Sequence, residues 1–364
     1  MGGFQIKIVG DGCNLRCRYC RNRNFDQSLG KEMSVEMLEQ VIRFASTVPN
    51  RTVRMCWHGG EPLIIGKKFF SLIPVFQSRY PEKVWVNSIQ TNGTLIDNEY
   101  AALFQKQKFS IGLSLDGTEY LHNAWRVFPS GRGSYASAIE GGLTLQNNGI
   151  FPSVICTVTK QHLLFAQEII LAFVQSKFTK IAFNAFWNVA GQEADVNRVT
   201  DNEWYLFLCS VFEIWIALRN PLIKIREIDQ LLALIQNRVP NNCSFQGTCA
   251  NWFVVNWNGD LFPCERIGYS TFYFGKVEYN TKFSDMTNLT AYSHWKDYVQ
   301  KVPLKCQACD LLPLCHNGCV AHRHSDMYNA NIFAYCESRK RMYAFVQSFL
   351  QDVKGRNRKE VSYL

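Results

Sequence analysis

Hydrophobic positions in the first half of the chain follow two alternating periods. Runs at 4–10, 52–59, 84–92, 109–117, 151–159 and 180–187 are rich in Val, Ile and aromatic residues, and several close on Gly or Asn, so they predict strands. Between them the apolar spacing lengthens to that of a helix. At 34–46, Val35, Leu38, Val41, Ile42 and Ala45 share one face, and Ser34 stands where an N-cap belongs. Comparable patterns occupy 67–79, 97–108, 134–148 and 163–177. Six β-then-α units imply an α/β fold around a parallel sheet, curled into part of a barrel or doubly wound. Sites in such sheets lie at the carboxyl ends of the strands. The uncommon residues fall there: 12–20, 59–62, 90–94 and 114–117 follow or end the first four strands.

The pattern then changes twice. Residues 201–242 read as helical and rich in aromatic side chains, with a break at Pro221. From Cys243 the segments are short and the turns tight, and Asn258-Gly259 between two apolar runs reads as a β-hairpin. Residues 337–353 read as a terminal helix. The expected organisation is a first domain over 1–200, a helical bridge over 201–242, a cysteine-rich domain over 243–336, and a helix with a basic tail over 337–364.

Composition narrows the classes. No apolar run reaches the roughly 18 residues of a membrane span, and the N-terminus lacks a signal pattern, so a cytoplasmic protein without a membrane partner is expected. The net charge of +9 suits solubility, or the attraction of an acidic peptide or anionic cofactor. No nucleic-acid-binding motif is recognisable, and no such partner is expected. Lys354, Arg356, Arg358 and Lys359 form a basic tail that reads as a solvated end.

The 14 cysteines carry the chemistry. Without a secretion signal a disulfide framework is not expected, which leaves metal, catalysis or burial. Cys13-x3-Cys17-x2-Cys20 sets three thiols in one predicted loop. Soft thiolates suit iron–sulfur clusters or zinc. A structural zinc site takes four ligands, typically grouped as pairs, and the next Cys or His residues are only at Cys56 and His58. Three thiolates on a four-iron cluster leave one iron open to a small molecule. Downstream, Cys243-x5-Cys249-x14-Cys264 is followed by Cys306-x2-Cys309-x5-Cys315-x3-Cys319-x16-Cys336. These eight thiols make two sets of four, which fit two [4Fe–4S] clusters or, on spacing alone, two zinc sites. Cys56, Cys156 and Cys209 fall inside predicted elements and read as small buried residues, with a hydrogen-donating thiol as the minority reading.

The string CNLRCRYC, followed by GGEP at the end of the second strand, resembles the radical S-adenosylmethionine superfamily. The later cysteines and the string GDLFPC resemble its SPASM domain. The resemblance covers nearly the whole chain. It implies a partial (β/α)6 TIM barrel of the radical S-adenosylmethionine type with a C-terminal cysteine-rich SPASM domain. The implied cofactors are S-adenosylmethionine and three [4Fe–4S] clusters. Cys13, Cys17 and Cys20 would hold the radical cluster. Cys243, Cys249, Cys264 and Cys319 would hold the first auxiliary cluster; Cys306, Cys309, Cys315 and Cys336 would hold the second.

Around S-adenosylmethionine the resemblance sets Gly59, Gly60, Glu61 and Pro62 against the amino group and Tyr19 next to the adenine. Asn92, Ser114 and Asp116 lie at strand ends that line the site, and Arg126 matches an arginine that contacts the cofactor. Gly60 is favoured because close ligand approach requires a residue without Cβ. Glu265, next to Cys264, stands where sulfatase-maturing relatives carry an aspartate thought to take a proton from substrate. His58 stands where those relatives more often carry glutamine.

The leading expectation is a maturase that installs an oxidative crosslink, carbon–carbon or thioether, in a ribosomally made precursor peptide. The alternative is an anaerobic sulfatase-maturing enzyme that forms formylglycine from Cys or Ser. The non-enzymatic alternative is an iron–sulfur electron carrier. Expected partners are a precursor peptide or protein substrate and a reductant such as flavodoxin or ferredoxin. Because the radical motif begins at Cys13, no upstream leader-recognition domain is expected; direct recognition or a separate leader-binding protein would serve.

Overall fold

The computed structural model describes residues 3–20, 31–187, 196–267, 272–323 and 332–355. Arg356, Arg358 and Lys359 of the basic tail lie outside the described residues. The chain divides into two compact units, one of 1–115, 122–152 and 248–301, the other of 116–121, 153–247 and 302–364.

The first unit is built on β1 (Gly3–Lys7), α1 (Val35–Ser46), β2 (Thr52–His58), α2 (Lys67–Gln77), β3 (Val84–Thr91), α3 (Asn98–Lys106) and β4 (Ser110–Ser114). α4 (Glu119–Trp125), absent from the sequence reading, precedes α5 (Tyr135–Asn147). Each helix returns the chain to the same edge, so β1 to β4 pair in parallel and in sequence order. Ser34 caps α1 as expected, its Oγ accepting from the Met37 N–H at 3.1 Å. Leu38, Val41, Ile42, Phe44 and Ala45 of α1 are fully buried. Two strands are shorter than the apolar runs suggested. β1 stops at Lys7 because the chain turns through Gly10 at φ +54°, and β4 stops at Ser114, ahead of a turn through Gly117 at φ +84°.

The cysteine-rich stretch contributes β8 (Trp252–Asn256) and β9 (Leu261–Phe262) to this same unit. β8 lies parallel to β1, Gln5 facing Val254 and Lys7 facing Asn256. β9 returns antiparallel through the expected Asn258-Gly259 turn, with Gly259 at φ +90°. Phe4 of β1 packs on Phe44, Phe253 and Phe283 at centroid distances of 5.7, 5.9 and 6.4 Å. The hairpin therefore belongs to the core around β1. α10 (Phe283–Thr287) and α11 (Thr290–Gln300) follow it.

The second unit holds β5 (Ser153–Val158), α6 (Ala166–Gln175), β6 (Lys180–Ala185), α7 (Asp201–Leu218), the short β7 (Lys224–Ile225) and α8 (Arg226–Ile235). β5, β6 and β7 are parallel. α9 (Cys243–Gln246), α12 (Leu304–Gln307), α13 (Leu312–Cys315) and α14 (Cys336–Gly355) complete it. Among the described residues no helix is long and apolar enough to cross a membrane.

Candidate active site

The loop after β1 carries Cys13, Cys17 and Cys20, each partly exposed. Neighbouring backbone holds it on two sides. The Arg16 and Arg18 N–H groups donate to the Val127 and Trp125 carbonyls, and the Gly60 and Glu61 N–H groups donate to the Gly10 and Gly12 carbonyls. Glycine at 60 has a reason within the chain itself. A Cβ there would stand 1.8 Å from the Gly12 carbonyl oxygen, so chain-on-chain packing already excludes any side chain. Gly59 adopts φ +124°, a conformation open to glycine.

Glu61 is fully buried. Its Oε1 accepts from the Leu63 N–H at 3.1 Å and the Thr91 hydroxyl at 2.7 Å, and its Oε2 accepts from the Asn92 N–H at 2.7 Å. Glu61 thus ties the turn after β2 to the end of β3. Burial raises its carboxyl to about 7, opposed by those three donors and by Arg126. Pro62, also buried, opens a short 3₁₀ turn, Pro62–Ile65. Asn92 donates from Nδ2 to Asn14 Oδ1 at 2.8 Å and toward Cys13 Sγ at 3.9 Å.

Arg126 is buried and lies over the Tyr19 ring at 5.3 Å; Tyr19 in turn stacks on Trp125 at 5.7 Å. The Arg126 carbonyl accepts from the Ser134 hydroxyl at 2.9 Å, and Ser134 meets buried His122 at 3.0 Å. Ser114 accepts from Gln90 Nε2 at 2.9 Å. Cysteines, GGEP turn, Asn92, Ser114 and Arg126 all belong to the first unit. Asp116 belongs to the second; it is fully buried, and its Oδ1 accepts from the Thr157 N–H at 2.9 Å, which fastens the turn to β5.

One face of the first-unit sheet is polar. Parallel strands buried on both faces usually read as continuous apolar runs. Here Gln5 and Lys7 alternate with Phe4 and Ile6 on β1, and they register with Cys56 and His58 on β2. Glu265 of the hairpin meets this row. Gln5 Nε2 donates to its Oε2, Lys7 Nζ lies 3.7 Å from its Oε1, and His58 Nδ1 lies 3.7 Å from its Oε2. Lys7 is fully buried and bonds Asp11 Oδ1 at 2.7 Å. His58 Nδ1 accepts from the Gly59 N–H at 2.7 Å, and burial pushes its basicity down, Glu265 opposing and Lys7 and Arg266 reinforcing the fall. Gln5, Lys7 and Asp11 were not singled out from the sequence. The available signal was two polar side chains two positions apart in an otherwise apolar strand.

Among the described residues no three Cys, His, Asp or Glu side chains stand close enough to share a single ion. The thiols still feel one another. Burial, followed by Glu61, pushes Cys13 up to about 12; the Leu15 N–H opposes the rise, and Cys17 and Cys20 add to it. A buried thiol with two neighbouring thiols raising it further suits a group that brings its own positive charge, as an iron–sulfur cluster does.

Of the eight later cysteines, Cys249 and Cys264 lie in the first unit and Cys243 and Cys319 in the second. Cys306, Cys309, Cys315 and Cys336 lie together in the second unit. Burial raises the Cys306 thiol, with Cys315 and Cys309 adding to it, and burial raises Cys336 to about 11, with Cys315 and Cys306 among the causes. These four fit one cluster. Of the remaining cysteines, Cys156 is fully buried, burial raises the Cys209 thiol beside Met342, and Cys56 bonds Ser88.

Residues 7–161 match the Radical SAM superfamily model. The chain is 27% identical over 352 residues to the cysteine-type anaerobic sulfatase-maturating enzyme of Clostridium novyi (strain NT), covering 93% of each. It is 25% identical over 358 residues to the serine-type anaerobic sulfatase-maturating enzyme of Klebsiella pneumoniae, covering 96% of this chain and 89% of that one. The solved structure of native anSMEcpe with bound AdoMet and Cp18Cys peptide superposes with a TM-score of 0.88 at 25% identity, covering 97% of this chain and 98% of that one. The partial-barrel α/β fold with a cysteine-rich C-terminal region is thereby established. The comparisons favour the sulfatase-maturing alternative over the leading expectation of a peptide crosslink.

Proposed function

We propose that this chain is a radical S-adenosylmethionine enzyme that oxidises a cysteine or serine side chain of a sulfatase-type protein or peptide substrate to formylglycine. The observation that carries the proposal is likeness at full length: cysteine- and serine-type sulfatase-maturating enzymes match across about nine-tenths of both chains.

In this reading Cys13, Cys17 and Cys20 hold the radical cluster. Tyr19, the 59–62 segment, Asn92, Ser114, Asp116 and Arg126 surround S-adenosylmethionine. Cys243, Cys249, Cys264 and Cys319 hold one auxiliary cluster, and Cys306, Cys309, Cys315 and Cys336 the other. When bound, the cofactor and its cluster supply a 5′-deoxyadenosyl radical, and the auxiliary clusters are one-electron acceptors in kind. The protein holds the reactants in line and keeps water from the radical.

Oxidation removes one hydrogen atom, one proton and one electron from the side chain; serine becomes the aldehyde directly, whereas cysteine becomes a thioaldehyde that water hydrolyses to the aldehyde, the sulfur leaving as hydrogen sulfide. Glu265 is the proton acceptor, because it faces the polar sheet row with Lys7, Gln5 and His58 around its carboxylate. A flavodoxin or ferredoxin is the reductant this chemistry calls for. A second reading, a crosslinking peptide maturase, rests on His58 and Glu265. Those two departures from the sulfatase-maturing pattern face one another at 3.7 Å, so the substrate-facing chemistry at that spot is changed in two places together.

Incubation of reduced, cluster-loaded enzyme with a cysteine-containing sulfatase peptide separates the readings by mass spectrometry. A hydrazide-reactive aldehyde, with oxygen in place of sulfur, supports formylglycine formation. Loss of two hydrogens with sulfur retained supports the crosslink and overturns the proposal.

A further inference from the structure

Arg339, on the first turn of α14, is held in one place by four neighbours. Its Nη1 donates to the Ser244 carbonyl at 2.8 Å, to the Cys315 carbonyl at 3.3 Å and to Cys315 Sγ at 3.5 Å. Its Nη2 donates to Ser244 Oγ at 3.4 Å. The guanidinium carbon stands 3.8 Å from the Phe245 ring centroid and 4.4 Å from that of Phe333, so two rings clasp the cation. Among the described residues none of its hydrogen-bond acceptors is a carboxylate. Its charge therefore lies directly beside a sulfur. By contrast, the adjacent Lys340 is paired with Glu337 at 3.5 Å.

We propose that Arg339 tunes the second auxiliary cluster, raising its reduction potential above the value it would have without the N–H to sulfur contact at Cys315. This rests on the reading of Cys306, Cys309, Cys315 and Cys336 as the ligands of one cluster. Reduction adds one electron and hence one negative charge to that cluster. A fixed cation and a hydrogen bond to a ligand sulfur both stabilise the more negative state. Guanidinium stays charged at every pH a protein tolerates, so the bias is permanent. The cluster furthest along the chain is thus set to accept an electron from its surroundings.

The test uses the full chain with Cys13, Cys17 and Cys20 replaced by alanine, so that only auxiliary clusters contribute, and reads midpoint potentials by paramagnetic resonance. About eight irons per chain are expected in this background. In R339Q one auxiliary potential falls while the other stays in place. Both potentials unmoved, with iron retained, overturns the role of Arg339 and leaves the proposed reaction intact. About four irons in the background without the Arg339 change overturns the cluster assignment and this proposal with it. If R339Q sheds iron, R339K decides, since it keeps the charge and loses the fork: a lowered potential supports the proposal and an unmoved one overturns it.

Discussion

Gly60 and Glu61 show how closely the GGEP turn is built into the protein itself. A methyl group at 60 would meet the Gly12 carbonyl carbon at 2.4 Å as well as its oxygen, and both belong to backbone with no side chain to swing aside. G60A is expected to push back the cysteine loop, at a cost of about 1–3 kcal/mol, and to abolish 5′-deoxyadenosine formation; full product yield would contradict the packing argument. E61Q removes a carboxylate that takes three donors and leaves an amide N–H facing at least one of them. A loss of about 1–3 kcal/mol in urea unfolding is expected. The pH dependence has a definite sign. Burial lifts the carboxyl from 4.5 to about 7, so the folded chain holds this proton more tightly than the unfolded one. The contribution is complete below about pH 4.5 and is lost as pH rises through about 7. The stability of the parent relative to E61Q should fall across that window and then level off. A constant difference would exclude Glu61 as the titrating group.

At the scale of elements, capping and registry divide what local pattern could and could not reveal. The Ser34 cap was legible because hydroxyl, spacing and apolar face all lie within 34–46. S34A should cost about 1 kcal/mol in thermal or urea unfolding, as a lost N-cap does, and an unchanged midpoint would remove the cap from the account. The two-residue β7 and the short α4 were missed because neither is long enough to show a period. The pairing of β8 with β1 was missed for a different reason. It joins residues nearly 250 positions apart, and a local pattern can announce a strand but not its partner. The same limit hid Lys7. Its charge reads as an oddity within β1 until Glu265 arrives from the hairpin to face it.

Across the whole molecule, the cysteine spacings and the GGEP turn conveyed the kind of chemistry, because thiolates on clusters and backbone on cofactors impose residue types at fixed intervals. Substrate class was less legible, since His58 and Glu265, which the proposed reading sets beside the substrate, come together only in space. The sequence reading separated a cysteine-rich region from the barrel, whereas the compact units assign 248–301 to the unit of β1. Truncation after residue 247 is therefore expected to leave the β1 edge and Phe4 uncovered and to yield aggregated or protease-sensitive protein. A soluble, protected 1–247 fragment would contradict that architecture. The most direct measurement is 5′-deoxyadenosine released by anaerobically reconstituted, dithionite-reduced protein given S-adenosylmethionine and a cysteine-containing sulfatase peptide. Stoichiometric release with about twelve irons bound, lost when Cys13, Cys17 and Cys20 become alanine, is the predicted result; no release from iron-replete protein would contradict it.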